Sequence, residues 1–268
     1  MFHCTHYLKC NPDHQTIYST DQNLKFIKCN DCGLIWRSPD SMDLQKEYDQ
    51  SYFTSKNYTK NKEHKIKKSE WLIRIAQHHH PNIESLFEVG SSIGNTLQAA
   101  KNLNIHHLGI DVSDFAVNYC KENGLNAEKQ TMEQVLNNGN CFDLIFMQHV
   151  LEHFPNPFET LSLCHQLLKK NGLILILVPN SDYRRAHKKR GKHRFYSLQG
   201  VGKEHFVYFN YKSISKVLAH TNFEVIQQNY PLFLKKHDTP EFFLNRFFRK
   251  NLSLWRGDQE LFLIAKKV

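Results

Sequence analysis

The feature that most constrains the fold is a short apolar run that ends in a turn of small residues. The run at 86–89 leads into the pattern Glu88-x-Gly90-x-Ser92-x-Gly94, and a helical segment follows. Because glycine has no Cβ, Gly90 and Gly94 permit a tight turn and let a ligand approach the backbone. Glu88, at the strand end, can accept hydrogen bonds from a cationic or hydroxyl-bearing ligand. A glycine turn can also merely reverse the chain, so the pattern needs support from other residues.

Strand and helix patterns alternate from residue 85 onward. Strands are predicted at 85–90, 107–112, 126–130, 142–149 and 173–179, and helices after Gly94, over 114–123, from Met132 and over 158–169. An amphipathic helix at about 69–79 precedes them, and a final strand at 259–267 is expected at the closing edge of the sheet. This alternation indicates an α/β fold, with a parallel sheet between two helical layers and ligands at the carboxyl ends of the strands.

Length and charge limit the possible functions. The chain has 268 residues, enough for one large domain with a small appendage. We expect an N-terminal module at 1–50, a connecting and lid segment at 51–82 and the main domain at 83–268. The longest strongly apolar run, 173–179, is far too short to span a membrane and no targeting segment is evident, so a soluble, cytoplasmic protein is expected.

A second acidic residue supports the ligand interpretation of the turn. Asp111 follows Gly90 by 21 residues and lies at the end of the second predicted strand. A carboxylate there can accept hydrogen bonds from both hydroxyls of a ribose. The alternative is that Asp111 caps the helix beginning near Asp114, but the spacing from the glycine turn favours ribose binding.

Four segments in a fixed order carry a family resemblance. The glycine turn, the acidic end of the second strand, FDLIFMQHVLEH at 142–153 and LLKKNGLILILVPN at 167–180 resemble class I S-adenosylmethionine-dependent methyltransferases. The resemblance covers 85–179 and extends to the C-terminus. It implies a Rossmann-like, doubly wound, mostly parallel seven-stranded sheet. Dinucleotide-binding folds share the turn and the acid, but they do not usually carry the HVLEH segment.

The same resemblance implies roles for individual residues in holding S-adenosylmethionine. Glu88 would face the amino group of the cofactor, and Asp111 would hold its ribose. Ser92 stands where the middle glycine of the turn is usual, a departure that related enzymes tolerate. The remaining implied contacts are Gly90 and Gly94 at the turn, Val112 and Met132 beside the adenine, and Gln148 and His149 on the methionine side.

The N-terminal cysteines predict a metal site. Cys29 and Cys32 are three positions apart with a glycine after the second, a knuckle that can bind one side of a tetrahedral zinc ion. The segment resembles the N-terminal ribbon of a methyltransferase subgroup in which a second CxxC lies upstream. Here Cys10 stands upstream, but its expected partner position holds Tyr7.

The fourth zinc ligand is open at this point. Cys4 is the first choice because thiolates are the softest ligands available, and His6 and His14 are the substitutes within reach. With four protein ligands the zinc would be structural. The competing interpretation is a ribbon that keeps its fold without a metal.

The acceptor side is predicted downstream of the fifth strand. Glu204 and His205 resemble the EHxxYF segment of the same subgroup, which implies that His205 acts as general base and that Glu204 orients a partner or binds the acceptor. His149 and His153 are alternative bases, and His205 could instead serve only to cap the following helix. An aromatic that often precedes the pair in C-methylating relatives is Gly202 here, so O- or N-methylation is favoured.

We therefore expect methyl transfer to a small-molecule acceptor, sugar-like or another biosynthetic intermediate. The basic stretch at 184–194 could attract an anionic acceptor, although a solvated loop is the simpler explanation. Tyr48 and Tyr52 could belong to a lid or pack internally. The aromatic and basic segment 242–250 could associate weakly with a membrane surface, although packing on the sheet is favoured.

Two rival functions remain open at this point. One is an RNA methyltransferase, suggested by the net charge of +9 and the ribbon, but the sequence lacks a dense basic and aromatic surface, so nucleic acid is not expected. The other is a non-catalytic binding or scaffold protein with a degenerate cofactor pocket. The sequence does not indicate an oligomeric state.

Overall fold

The computed structural model describes residues 7–21, 24–38, 61–182, 205–229 and 260–268. Several predicted features lie outside these ranges: Cys4, His6, Tyr48, Tyr52, Glu204, the basic stretch 184–194 and the segment 242–250. Among the helices in the described ranges, none is both long and apolar enough to cross a membrane.

The described residues form two sheets and the helices that pack on them. The strands are β1 (Gln15–Asp21), β2 (Leu24–Cys29), β3 (Ile35–Ser38), β4 (Ser85–Val89), β5 (His106–Ile110), β6 (Ala127–Glu128), β7 (Phe142–Gln148), β8 (Leu168–Pro179), β9 (Val207–Tyr208), β10 (Phe223–Gln228) and β11 (Glu260–Lys267). The helices are α1 (Lys62–His79), α2 (Asn95–Asn102), α3 (Asp114–Glu122), α4 (Met132–Asn137), α5 (Pro157–Leu167) and α6 (Tyr211–His220), with 3-10 turns at Pro12–His14 and Leu151–His153.

The main sheet has the strand order β10-β11-β8-β7-β4-β5-β6. Strands β6, β5, β4, β7 and β8 are parallel, and β11 runs antiparallel to both of its neighbours. This confirms the predicted α/β class with a mostly parallel seven-stranded sheet. The edge position predicted for the last strand is wrong, because β11 lies between β8 and β10. Its side chains are buried without interruption from Leu261 to Ala265, as is typical of an interior strand.

Alternate residues of the central strands fill two cores. Ile145 and Met147 of β7 face the core that holds α4, α5 and α6, whereas Leu144 and Phe146 face the core that holds α1 and α2. Helix α1 begins at Lys62, seven residues before the predicted start. The added residues are polar except for Ile66, and an ion pair of 2.8 Å between Glu63 and Lys67 supports the extra turns.

The amino end of the main sheet is held together by Asp143, the second residue of β7. Its Oδ2 accepts hydrogen bonds from the backbone amide and hydroxyl of Ser85, at 2.9 and 2.7 Å, and from Lys169 Nζ at 2.9 Å. Burial alone would raise the pKa of Asp143, but Ser85 and Lys169 outweigh it and hold the pKa below its usual value. One carboxylate thus joins the beginnings of β4, β7 and β8.

The smaller sheet has the order β1-β2-β3-β9 and is antiparallel. Its last strand comes from far downstream, with Trp36 opposite Val207. The amide of Arg37 donates to the carbonyl of Phe206 at 2.8 Å, and the Arg37 guanidinium lies 4.1 Å from the centre of the Phe206 ring. The N-terminal strands therefore fix the backbone next to His205.

Candidate active site

The predicted turn lies at the carboxyl end of β4. The amides of Gly90 and Ser91 both donate to the carbonyl of Ile110, at 2.8 and 2.9 Å, and join the turn to the end of β5. Gly90 has a φ of 72°, and a Cβ placed on it would lie 2.8 Å from Cγ2 of Val150. Both the backbone conformation and the close approach require glycine here.

Ser92 and Gly94 also have left-handed backbones, with φ of 50° and 75°. The amide of Ser92 donates to Asp111 Oδ2 at 2.8 Å, which offsets the strain of a non-glycine residue in this conformation. Gly94 begins α2 behind the turn, where a Cβ would lie 2.6 Å from Leu125 and 2.8 Å from Cys120 Sγ. Glycine at this position therefore lets the start of α2 pack closely against Cys120 of α3 and against Leu125.

A cavity of about 1070 Å³ opens at this edge of the sheet. The cavity is lined by most of the residues that the sequence predicted for the cofactor. It is also lined by His153 and His205, which the sequence predicted for catalysis. These lining residues are Glu88, Gly90, Ser92, Asp111, Val112, Met132, Gln148, His149, His153 and His205. Residues far apart in the sequence thus share one cavity because their strands all end at the same edge.

Buried polar atoms without a partner mark the turn side of the cavity. Within the described part of the chain, Glu88 Oε2, Ser91 Oγ, Ser92 Oγ and Asn95 Oδ1 are buried and have no hydrogen-bond partner. Leaving such a group unsatisfied costs about 1–3 kcal/mol each, so the arrangement suits a polar ligand.

The charge state of Glu88 is set by its surroundings. Burial, reinforced by the nearby Asp111 carboxylate, holds the pKa of Glu88 well above its usual range. Burial also raises the pKa of Asp111, although the amides of Ser113 and Ser92 oppose this. A cationic ligand group beside Glu88 would favour its ionised form.

A second polar cluster lies across the cavity around Glu152, in the turn after β7. Only 1% of Glu152 is exposed, and its Oε1 lies 3.7 Å from His149 Nδ1, 4.0 Å from His153 Nε2 and 4.0 Å from His205 Nε2. The rings of His153 and His205 pack edge to face, with centroids 4.7 Å apart. Burial alone would raise the pKa of Glu152, but the three imidazoles outweigh it and lower the pKa.

His205 reaches this cluster because the backbone is tied on both sides. The amide of Phe206 donates to the carbonyl of Glu152 at 2.8 Å, and its carbonyl accepts from Arg37 of β3. The histidine is therefore held between the turn after β7 and the N-terminal strands. This arrangement depends on pairings between distant segments of the chain.

His149 is linked to helix α1 through Glu260, the first residue of β11. Its Nε2 lies 3.2 Å from Glu260 Oε1, and Glu260 Oε2 lies 3.6 Å from Nζ of Lys68 on α1. Burial would lower the pKa of His149, but the carboxylates of Glu152 and Glu260 raise it to about 9. His149 therefore has a carboxylate near each ring nitrogen.

The structure adds cavity residues that the sequence analysis missed. Gln130 follows β6 at the rim and has a buried Oε1 without a partner among the described residues. Its position at the carboxyl end of the third predicted strand was an available signal. Asn95 directly follows the turn, whereas Glu152 and Glu260 gave no local signal, because only the folded chain buries them beside histidines.

Three of the four predicted metal ligands lie together beside the small sheet. The ligand atoms of Cys10, Cys29 and Cys32 are all within 4.8 Å of one another, and the three residues are buried. Burial and the two neighbouring thiols raise the pKa of Cys10 to about 12. His14 instead lies beside Asp31, with 2.8 Å between Nδ1 and Oδ1. Cys4 and His6 are outside the described ranges.

A family comparison accounts for most of this architecture. A model of the family described as methyltransferase domain matches residues 58–228. The chain belongs to this methyltransferase family. The matched stretch of the methyltransferase contains the glycine turn, Asp111 and the Glu152 cluster. It begins after β3, so the small sheet and the cysteine cluster lie mostly outside it, and the ribbon subgroup stays a prediction.

Curated relatives match the methyltransferase over a shorter stretch. It is 29% identical over 99 residues to a ubiquinone biosynthesis O-methyltransferase of Colwellia psychrerythraea, over 37% of each chain. It is 26% identical over 101 residues to the S-adenosylmethionine sensor upstream of mTORC1 of Danio rerio, over 35% of this chain and 26% of that protein. The chain thus spans well under half the length of these relatives.

Solved structures share the methyltransferase fold at low identity. The plantazolicin methyltransferase BpumL, in complex with SAH, has a TM-score of 0.58 at 17% identity, covering 81% of this chain and 93% of that one. The magnesium protoporphyrin IX methyltransferase of Synechocystis PCC 6803, with bound SAH, has a TM-score of 0.52 at 13% identity, covering 76% and 84%. The similarity is one of fold.

Proposed function

We propose that the chain binds S-adenosylmethionine in the cavity and transfers its methyl group to an oxygen or nitrogen of a small molecule. The observation that carries this proposal is the set of buried, unpartnered polar atoms at the glycine turn, beside the Asp111 carboxylate. A zwitterionic amino acid tail joined to a ribose would supply the missing partners. Family membership supports the same ligand.

The residues around the cavity suit the parts of this cofactor. Glu88 would hold the ammonium group, and Asp111 would accept from the ribose while it keeps the turn in place. Val112, which is 44% exposed, and Met132 line the same cavity and offer apolar surface for the adenine. Gln148 and His149 would line the methionine side.

When bound, the cofactor supplies a methyl group on a sulfonium, which makes the carbon electrophilic. The chain must then align the acceptor in line with the carbon–sulfur bond and take away the acceptor's proton. Neither task requires a covalent intermediate with the protein. The site therefore needs a rigid turn on one side and proton-accepting groups on the other.

The Glu152 cluster is our proposal for the acceptor side. His205 and His153 both line the cavity and lie within 4.0 Å of the buried Glu152 carboxylate. That carboxylate can orient an imidazole and stabilise its protonated form. His149 is less suited, because a carboxylate lies near each of its ring nitrogens. The role predicted for Glu204 remains a proposal.

A small-molecule acceptor fits the dimensions and charge of the site. A volume of about 1070 Å³ can hold the cofactor together with a small second ligand. Lys65 and Lys68 of α1 line the same cavity and add positive charge, which would favour an anionic acceptor. A sugar-like or other biosynthetic intermediate remains the proposed class.

We further propose that Cys10, Cys29 and Cys32 hold one structural zinc ion, with Cys4 as the fourth ligand. The three buried thiols lie within 4.8 Å of one another, close enough to contact one ion, and thiolates are common zinc ligands. The ion would stabilise the loop between β2 and β3, and β3 pairs with the strand that follows His205. Zinc would therefore affect catalysis indirectly, by stabilising the strands that position His205.

Formation of the demethylated cofactor, S-adenosylhomocysteine (SAH), tests the proposed activity. The full chain is incubated with S-adenosylmethionine and either a small-molecule extract or total RNA, and SAH is measured. We expect SAH with the small molecules. SAH with RNA alone would favour an RNA methyltransferase. Cofactor binding without turnover in either sample would favour a non-catalytic binding protein; the Danio rerio relative is named as an S-adenosylmethionine sensor.

A further inference from the structure

We propose that Glu152, His153 and His205 bind a divalent transition-metal ion on the acceptor side of the cavity. One carboxylate oxygen and two imidazole nitrogens lie within 4.8 Å of one another, and all three residues line the cavity. The metal site itself is independent of the cofactor. What the ion would do there rests on the proposed methyl transfer.

The surroundings of Glu152 are the main argument. The residue is 1% exposed, and neither carboxylate oxygen has a hydrogen-bond partner in the described part of the chain. The nearest imidazole nitrogens, at 3.7 to 4.0 Å, are too distant for hydrogen bonds. A buried carboxylate costs several kcal/mol unless positive charge and hydrogen-bond donors satisfy it. His149 brings a cationic ring to 3.7 Å, but among the described residues both carboxylate oxygens remain without a hydrogen bond and can accept a metal ion.

The spacing fits ligands that surround a common ion. Metal bonds to imidazole nitrogen and carboxylate oxygen are about 2.0–2.2 Å long, so ligand atoms on one ion lie roughly 3–4 Å apart. The distances from Glu152 Oε1 to His153 Nε2 and His205 Nε2, both 4.0 Å, are near the upper end of this range. A small inward movement of either ring would complete the coordination.

The donor set indicates the kind of metal. Two imidazoles and one carboxylate suit Zn²⁺, Mn²⁺ or Fe²⁺, and three protein ligands leave further positions open to water or substrate. The cysteine cluster differs, because its thiolates favour Zn²⁺ over harder ions such as Mn²⁺. The open positions would face the cavity, where the acceptor must enter.

A metal ion here would activate a hydroxyl acceptor. An ion that contacts the acceptor oxygen lowers the pKa of its hydroxyl, so the proton passes to solvent. The oxygen lone pair then forms the bond to the methyl carbon, and the pair of the broken carbon–sulfur bond stays on sulfur. With the metal bound, His153 and His205 would serve as its ligands. Without the metal, they would accept the proton of the acceptor hydroxyl directly.

Manganese separates this site from the cysteine cluster, because Mn²⁺ prefers oxygen and nitrogen ligands to thiolates. The full chain is titrated with Mn²⁺, and free Mn²⁺ is followed by electron paramagnetic resonance. We expect one bound ion, and a loss of affinity of at least about tenfold in both Glu152→Gln and His153→Ala. Glu159→Gln is the matched control, because it removes an exposed carboxylate that lines the same cavity.

Absence of Mn²⁺ binding, or equal binding in Glu152→Gln and His153→Ala, would overturn the proposal. Thermal melts of each variant identify any failure to fold, and the nearly isosteric Glu152→Gln keeps the test usable if His153→Ala unfolds. SAH titrations on the same samples separate the two proposals. SAH binding without Mn²⁺ binding would contradict only the metal-site proposal. Mn²⁺ binding without SAH binding would contradict only the cofactor-site proposal.

Discussion

The Asp111 carboxylate accepts a hydrogen bond from the backbone amide of Ser92, with 2.8 Å between Oδ2 and N. Its other oxygen accepts from the amide of Ser113 at 3.0 Å. The residue predicted to hold a ribose therefore also fixes the glycine turn. This bond explains how a serine with a φ of 50° can occupy the middle position of the turn.

Replacing Asp111 should weaken cofactor binding. Asp111→Ala removes the acceptor for both the ribose and the Ser92 amide, and we expect a loss of about 1–3 kcal/mol, or roughly 5- to 150-fold. Asp111→Asn keeps one acceptor oxygen and should lose less. Calorimetric titration with SAH measures the effect, and Asp114→Asn on the neighbouring helix is the control. Unchanged affinity in Asp111→Ala would rule out the ribose role.

Cofactor binding should release a proton from Glu88. Because its pKa is raised in the free protein, Glu88 is protonated up to a higher pH than an ordinary glutamate. An ammonium group favours the carboxylate, so affinity should rise with pH through the pKa of the free protein. Calorimetric titration with SAH in buffers of different ionisation enthalpy measures the number of protons released on binding. The Glu88→Gln variant should release no such proton on binding. An equal proton release in that variant would contradict the role assigned to Glu88.

The stability contributed by Asp143 should depend on pH. Its folded pKa is lowered, so its contribution is complete above the ordinary value of 3.8 and is lost as the pH falls through the folded pKa. Asp143→Asn should cost about 1–3 kcal/mol of unfolding free energy at pH 7, because the bond to Lys169 loses its charge. Urea denaturation should show the difference narrowing toward low pH. A constant difference would contradict this account.

Removing one thiol should remove the proposed zinc ion. Protein purified without added metal should contain at least one equivalent of zinc, and Cys29→Ser should lose about one equivalent of it. Cys141→Ser is the control, because Cys141 is exposed and outside the cluster. SAH binding should persist in Cys29→Ser while turnover falls, since β3 supports the position of His205. A metal-free wild-type protein would end the zinc proposal.

Local patterns predicted the parts of the fold that depend on neighbouring residues. The strand and helix alternation, the turn at Gly90 and the acid at Asp111 are all expressed within a few residues of the chain. The approximate limits of β7 could be predicted because its residues are buried on both faces of a parallel sheet.

The long-range strand pairings could not be predicted from the sequence. The insertion of β11 between β8 and β10, and the addition of β9 to the N-terminal sheet, join segments far apart in the chain. The role of Glu152 was missed for the same reason. It lies between residues that were recognised, His149 and His153, but its burial depends on the return of the chain at His205.

A side-by-side calorimetric titration of SAH into the wild-type protein and Gly90→Val tests the central claim most directly. A branched side chain at Gly90 would collide with Val150 and close the turn against the ligand. We expect one equivalent of SAH on the wild-type protein and none on a folded Gly90→Val protein. Absence of binding to the wild-type protein, or equal binding to both, would contradict a cofactor site at this turn.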